Sequence, residues 1–216
     1  MKTQAPLPFD AILFDLDGTL IDTESLAVAS GVEAFATSGF PIDAKFMHQL
    51  IGKDHIASAA IIQAQVPGVD LAEFDRTWRR LFNARVDVGL PLKPGAEALL
   101  ERLAHLPRGL VTSSRRDEAH RKLGIAGIAQ YFDLVVSVDD VTAAKPAPEP
   151  YLLAARLLGV APERCLVFED SEVGAEAAHR AGCRVVQVPD VLPSDGKWAH
   201  HLAADLLEGA KAAGLI

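Results

Sequence analysis

The feature that most constrains this sequence is an apolar run that ends in two acids, Ala11-Ile-Leu-Phe-Asp-Leu-Asp-Gly18. Four apolar residues without interruption are typical of a strand that is buried on both faces of a parallel sheet. Asp15 and Asp17 follow at the carboxyl end of that strand, where open α/β sheets bind their ligands. Two carboxylates placed so close together need a cation or a shared proton to relieve their repulsion. We therefore expect the chemistry of this chain to begin at this edge of a sheet.

Beyond residue 91 the sequence alternates between strand and helix patterns. Strands are predicted at residues 109–112, 134–138, 165–168 and 184–188, and helices at residues 95–105, 115–123, 148–158, 174–181 and 202–213. This alternation favours an α/β fold, in which helices cover both faces of a parallel sheet and the crossovers are right-handed.

The stretch between the first strand and residue 92 has a different pattern. Apolar residues recur there at spacings of three and four, through residues 26–35 and again through 56–62, without a convincing buried strand. We therefore predict a core formed by residues 1–20 plus 92–216, with residues 21–91 inserted as a helical cap domain after the first strand.

Composition narrows the class of protein. Half of the 216 residues are apolar, which is enough for a large core, and the formal net charge of −8 argues against a nucleic-acid partner. No apolar run has the length of a membrane span, and the first ten residues lack the apolar region of a secretory signal. Cys165 and Cys183 are too few to suggest a disulfide framework. We expect a cytoplasmic protein, without a membrane partner, that is a monomer.

Polar residues follow other predicted strands as well. Thr112, Ser113 and Ser114 close the second strand, and Glu169 and Asp170 close the fourth. Lys145 lies between the third and fourth strands, in the segment Ala144-Lys-Pro-Ala-Pro148. Because the carboxyl ends of parallel strands share one edge of the sheet, these segments are predicted to converge on Asp15 and Asp17.

Such a set suits phosphoryl transfer. Several acids at one point favour Mg²⁺, a hard cation that prefers oxygen ligands. Asp15 can attack phosphorus and form an aspartyl phosphate, and Asp17 is placed to protonate the leaving oxygen and later deprotonate water. Lys145 and the Thr112 hydroxyl would hold the phosphoryl oxygens.

Some of these residues could instead have a purely structural role, such as capping a helix or lying in solvent. A helix-capping role for residues 112–114 is compatible with a phosphate role. Lys145 could be a solvated loop lysine, and Glu169-Asp170 could cap a helix.

The motif Asp15-Leu-Asp-Gly-Thr19 resembles the first motif of the haloacid dehalogenase superfamily of phosphotransferases. Thr112 matches its second motif, Lys145 its third and Glu169-Asp170 its fourth, in the same order along the chain. The resemblance implies a Rossmann-like core with a helical cap. It also implies Mg²⁺ bound by the carboxylates of Asp15 and Asp170 and the backbone carbonyl of Asp17, with Glu169 as a further ligand, direct or through water.

Within the superfamily the chain is similar to the β-phosphoglucomutase-like group, which includes many sugar-phosphate phosphatases. The sugar mutases of that group carry a cap histidine at the place of Ala27 in this chain. They also carry a loop arginine, whose place falls near His55, so both positions differ here. We therefore expect a Mg²⁺-dependent phosphatase acting on a small phosphorylated metabolite, with a sugar or polyol phosphate favoured. Lys53, His55 and Ser113 are candidate substrate contacts.

Two other functions stay open. A sugar phosphomutase would share every core residue. A non-enzymatic phosphoacceptor module would also carry a reactive Asp, a hydroxyl residue and a Lys, but it has no helical cap and no counterpart of Asp17.

Overall fold

The computed structural model of the protein describes residues 8–51 and 55–216, with the side chain of His55 left aside. Its sheet consists of β1 Ala11–Phe14, β2 Arg108–Val111, β3 Leu134–Val136, β4 Cys165–Glu169, β5 Arg184–Gln187 and β6 His201–Leu202. The strand order is β3-β2-β1-β4-β5-β6, and every neighbouring pair is parallel. The strand that leads into Asp15 and Asp17 therefore has a hydrogen-bonded neighbour on each side.

The helices of the described residues lie between these strands and in one long insertion. They are α1 Thr23–Thr37, α2 Ala44–His48, α3 His55–Gln65, α4 Leu71–Val88, α5 Ala96–Arg102, α6 Arg116–Ala126, α7 Glu149–Leu158, α8 Glu172–Arg180 and α9 Leu206–Ala212. Short 3₁₀ turns occur at residues 129–131, 138–140 and 162–164.

Helices cover the sheet on both faces. Ala11 and Leu13 of β1 share one core with Tyr151 of α7 and Ala175 of α8. Successive side chains of a strand point to opposite faces, and Phe14 stacks on Phe168 at a centroid distance of 5.2 Å. On that second face α9 approaches the sheet at Gly209, where a Cβ atom would overlap Val186 and touch Phe168. The prediction of an α/β fold with a parallel sheet between two helical layers is confirmed.

The end of the chain differs from the predicted helix over residues 202–213. His201 and Leu202 form β6, which pairs with Val186 and Gln187 of β5. The helix begins only at Leu206, because Asp205 caps it by accepting a hydrogen bond from the backbone N–H of Glu208 at 2.8 Å. The predicted helical start at residue 202 is therefore wrong.

The chain divides into two compact units, Met1–Ile21 together with Pro91–Ile216, and Asp22–Leu90. We call the first the core unit and the second the helical unit. The helical unit has a hydrophobic core of its own, in which Phe35 lies 4.1 Å from Phe74 and 5.5 Å from Phe46 between ring centroids. That the helical unit acts as a cap stays a prediction.

Among the helices described here, none combines the length and the apolar character that crossing a lipid bilayer requires.

Candidate active site

Asp15 lies at the carboxyl end of β1, where the sheet fixes its backbone. Its N–H donates to the carbonyl of Phe168 at 3.0 Å, so the residue is bonded into the β1–β4 pairing. The residue is only 7% exposed. Its Oδ1 accepts a hydrogen bond from Lys145 Nζ at 2.8 Å. The sheet and the lysine together hold the carboxylate in one orientation.

Lys145 is buried among oxygen atoms, with 4% of its side chain exposed. Besides Asp15, its ammonium donates to Glu169 Oε1 at 2.7 Å and to the carbonyl of Val111 at 2.9 Å. An ammonium group has three N–H donors, so these contacts satisfy it. Burial alone lowers the pKa of Lys145, but the two carboxylates outweigh burial and raise it. This lysine is therefore charged, and it is not a solvated loop residue.

Glu169 is the most enclosed acid of the site. Its Oε1 accepts from Lys145 and from the Tyr151 hydroxyl at 3.0 Å, and its Oε2 accepts from the N–H groups of Asp170 and Ser171 and from the Ser171 hydroxyl. Burial and the Glu169 carboxylate raise the pKa of Tyr151, which keeps this donor protonated. Ser171 also caps α8 through Gly174 N–H, so one serine joins the start of a helix to the site.

Asp170 lies beside the turn that follows β1. Its Oδ1 is 3.3 Å from the Thr19 hydroxyl, which donates to it. A Cβ atom at Gly18 would overlap the Asp170 carboxylate, so the absence of a side chain there makes room for it. Gly18 also has a φ of 82°, which glycine adopts readily.

Three carboxylates form a group that could hold a metal ion. One oxygen each from Asp15, Glu169 and Asp170 lies within 4.8 Å of the others. The Lys145 ammonium offsets part of this negative charge through Asp15 and Glu169. Carboxylate oxygens are the donors that Mg²⁺ prefers, so this donor set fits a hard divalent cation.

Burial and the neighbouring carboxylates affect the pKa of the Asp15 carboxyl. Burial raises its pKa to about 7; Lys145 works against this shift, and the neighbouring Glu169 carboxylate adds to it. A nearby cation favours the ionised form of a carboxyl. A divalent ion beside Asp15 would therefore help to keep it a carboxylate.

The three residues after β2, Thr112 to Ser114, differ in their exposure and contacts. Thr112 is buried, and its hydroxyl oxygen accepts a hydrogen bond from the Ser114 N–H at 3.1 Å, as expected for a turn that precedes a helix. Ser113 is exposed. Ser114 donates its hydroxyl to Asp17 Oδ2 at 2.9 Å. Ser114, and not Ser113, contacts a predicted catalytic residue.

Asp17 has a partner that the sequence analysis missed. Lys122 of α6 donates to Asp17 Oδ1 at 2.8 Å and to Oδ2 at 3.0 Å. Burial lowers the pKa of Lys122, but Asp17 and Glu118 together outweigh it and raise that pKa. A lysine inside a polar helix pattern is usually solvated. The sequence feature that could have identified Lys122 is its position about two helical turns after the polar Thr112–Ser114 segment.

Of the predicted substrate contacts in the insertion, Lys53 lies outside the described residues, as does the side chain of His55. The helical unit contains a cavity of about 250 Å³, lined by Glu24, Ala27, Met47, Leu50, Ile51 and Trp78 among others. Trp78 is fixed there by a hydrogen bond from its Nε1 to the carbonyl of Ala27 at 2.8 Å.

Sequence and structure comparisons relate this chain to known hydrolases. Residues 9–182 match the haloacid dehalogenase-like hydrolases. The chain is 34% identical to validoxylamine A 7'-phosphate phosphatase of Streptomyces hygroscopicus subsp. limoneus, over 81% of this chain and 83% of the relative. It is 36% identical to hexitol phosphatase A of Escherichia coli K12, over 82% and 81% of the two chains. A hydrolase from Deinococcus radiodurans R1, solved with bound phosphate and sodium, has a TM-score of 0.82 at 28% identity, covering 98% of this chain and 99% of that one.

Proposed function

The chain belongs to the haloacid dehalogenase-like hydrolase family, and we propose that it is a Mg²⁺-dependent phosphatase. In this proposal it hydrolyses a small sugar or polyol phosphate through an aspartyl phosphate on Asp15. The observation that carries the proposal is the contact of the Lys145 ammonium with both Asp15 and Glu169, beside Asp170. A buried acid cluster with one cation among its members is arranged to receive a phosphoryl group together with a metal ion.

We assign the metal to Asp15 and Asp170 through their carboxylates and to Asp17 through its backbone carbonyl. When bound, Mg²⁺ would supply positive charge against the phosphoryl oxygens and the acids around them. Glu169 has a different part in this proposal. Both of its oxygens already accept hydrogen bonds, so it serves mainly to hold Lys145.

Asp15 supplies the nucleophile. A carboxylate oxygen of Asp15 bonds to phosphorus while the bond between phosphorus and the leaving oxygen breaks. Lys145 keeps the carboxylate oriented through Oδ1, and its positive charge lies beside the attacking group. Thr112, buried at the end of the neighbouring strand, is the candidate hydroxyl donor to the phosphoryl group.

Asp17 moves the protons. As the phosphoryl group is transferred to Asp15, the Asp17 carboxyl gives its proton to the leaving alkoxide oxygen. In the second step the Asp17 carboxylate takes a proton from water, whose oxygen attacks phosphorus. The bond from phosphorus to Asp15 then breaks, and inorganic phosphate and the free carboxylate are regenerated.

The relatives support the substrate class. One carries the name of a validoxylamine A 7'-phosphate phosphatase and another that of hexitol phosphatase A, and a hexitol is a polyol. Because both relatives align with more than four-fifths of this chain, a substrate of that kind is the best-supported choice.

The test is a screen of purified protein with Mg²⁺ against hexitol, cyclitol, pentose and hexose phosphates, measuring phosphate release. We expect turnover of at least one polyol or sugar phosphate and none by the matched Asp15→Asn variant. If the protein hydrolysed neither these compounds nor an aryl phosphate, the phosphatase function would be rejected and a phosphoacceptor module would be favoured.

A second assay separates hydrolysis from isomerisation. The protein is given a sugar 1-phosphate with the corresponding bisphosphate, and the products are resolved by phosphorus NMR. Free phosphate is expected to accumulate, because water is the acceptor. Accumulation of the isomeric sugar phosphate would instead identify a phosphomutase.

A further inference from the structure

Asp17 is held by Lys122, which the sequence analysis missed, and by Ser114 of the polar segment after β2. Lys122 Nζ donates to both Asp17 oxygens, at 2.8 and 3.0 Å, and the Ser114 hydroxyl donates to Oδ2 at 2.9 Å. Lys122 and Ser114 are also in contact with each other, with 3.0 Å between Nζ and Oγ. Two partners that grip one carboxylate, and also each other, restrict its rotation more than one would.

Lys122 has no further capacity for another ligand. Only 5% of its side chain is exposed. Its three N–H donors are shared among Asp17, Ser114 and Glu118, which lies one turn earlier on α6 at 2.8 Å. The ammonium is therefore committed to Asp17 and to two groups that fix its own position.

Burying this charge is costly. Desolvation of an ammonium group opposes folding, and an apolar side chain of similar volume often fills such a place at lower cost. A purely structural pair is the simpler explanation. However, the carboxylate that receives this charge is the one to which we assign both proton transfers, and for that role its orientation matters more than its contribution to stability.

We propose that Lys122 and Ser114 are positioning residues that together aim Asp17 for proton transfer to and from the substrate. The proposal rests on the phosphatase function proposed above. In this proposal Oδ1 keeps its contact with Lys122, and Oδ2, which Ser114 orients, gives the proton to the leaving oxygen and later takes one from water. A misaligned proton donor loses much of the roughly 10²- to 10⁴-fold that general acid catalysis contributes, although the nucleophile and the metal site stay intact.

The test uses leaving groups that differ in their need for a proton. The value of kcat/KM is measured with Mg²⁺ for 2,4-dinitrophenyl, 4-nitrophenyl and phenyl phosphate, which leave progressively less easily as anions. For Lys122→Met we expect a loss of less than about 3-fold on the dinitrophenyl ester and at least about 10-fold on the phenyl ester. The plot of log kcat/KM against leaving-group pKa becomes steeper. The exposed lysine variant Lys211→Met is the matched control, and its slope should equal that of the wild type.

A double-mutant cycle identifies the partner. In an Asp17→Asn background, Lys122→Met should have little further effect on phenyl phosphate, because the group it positions is gone. Equal losses on all three esters, or additive losses in the cycle, would show a structural role and overturn the proposal.

Ser114→Ala covers the case in which Lys122→Met does not fold, as judged by thermal unfolding. It removes one bond to Asp17 Oδ2 and leaves the buried charge paired. We expect a smaller but equally selective loss, of a few fold on phenyl phosphate. An unchanged slope in Ser114→Ala would count against the proposal. Failure of the phosphatase function itself would look different, since the wild-type protein would then hydrolyse none of the esters.

Discussion

The two units of the chain bury different kinds of polar side chain. In the core unit, charged groups are buried, among them Asp15, Arg108, Lys122, Glu169 and the side chain of Lys145. Among the described residues of the helical unit, the buried polar side chains are hydroxyls, namely Thr23, Ser30 and Thr77. Buried charge is costly unless it is paired, and all of these charged groups except Arg108 surround one sheet edge. The comparison separates a region organised for chemistry from one organised around apolar packing.

Two of these hydroxyls have partners on their own helix. Ser30 donates to the carbonyl of Leu26 one turn earlier, and Thr77 donates to Glu73 on its own helix. The charged groups of the core unit also have partners that are distant in sequence, as with Lys145 and Asp15 or Lys122 and Asp17. Removing one charged partner at the site should therefore reduce activity, whereas removing packing in the helical unit should reduce stability. The predictions below test this difference, from the largest effect to the smallest.

Asp15→Asn should give the largest effect. We expect kcat to fall by at least about 10³-fold, equivalent to about 4 kcal/mol of activation free energy, because an amide oxygen is a poor nucleophile. Thermal unfolding should change little, since the amide keeps the shape of the carboxyl. Phosphate release and a melting curve check both parts. The exposed Asp195→Asn is the control. Retention of a tenth of the wild-type rate would remove Asp15 from its proposed role.

Phe35→Ala should affect stability. The ring is fully buried against Phe46 and Phe74, and truncations of this kind cost about 3–5 kcal/mol. We expect faster hydrogen exchange in α1 and α4 and unchanged exchange in β1 and β4. Val88→Ala, at a residue that is 92% exposed, should have no measurable effect. Equal loss of protection in both units would mean that the two units are not distinct in stability.

Mg²⁺ should stabilise the core unit. Binding to the native state alone adds about 2.7 kcal/mol at a concentration 100 times Kd, since the ion relieves the repulsion among three carboxylates. A rise of the unfolding midpoint with Mg²⁺ checks this, without any assay of activity. Asp170→Asn should abolish most of the rise. If that variant responds to Mg²⁺ as the wild type does, the metal assignment is wrong.

A surface ion pair should give the smallest effect. Arg85 Nη2 lies 2.6 Å from Glu33 Oε2 in the helical unit, and both side chains are partly exposed. Exposed pairs contribute about 0–1 kcal/mol. Glu33→Gln should therefore shift the denaturant midpoint only slightly. A loss comparable to that of Phe35→Ala would contradict the view that apolar packing dominates this unit.

Much of the core could be predicted from sequence because its signals are local. The apolar run of β1 and the acids that follow it are adjacent in the chain, and the parallel topology brings distant strand ends to one edge. The pairing of Asp15 with Lys145, and their position beside Asp170, are consistent with that topology.

Other features depend on contacts that no local pattern reveals. Lys122 occurs in a polar helix, and only the packing of α6 brings it to Asp17. Thr19 is read as part of a motif, yet its contact is with Asp170, which lies 151 positions away. Strand β6 has two residues, which is too short for a periodic pattern, and it forms because β5 offers an open edge.

The contact between Gly174 and Glu169 has a practical consequence for engineering. A methyl group at position 174 would overlap the Glu169 carboxylate, while one at Gly124 of α6 would meet nothing within 4 Å. Saturation mutagenesis at position 174 should therefore return almost only glycine among active clones, because any other residue pushes the acid that anchors Lys145. Alanine at position 124 should be tolerated, and it should raise thermal resistance modestly because it reduces the freedom of the unfolded chain.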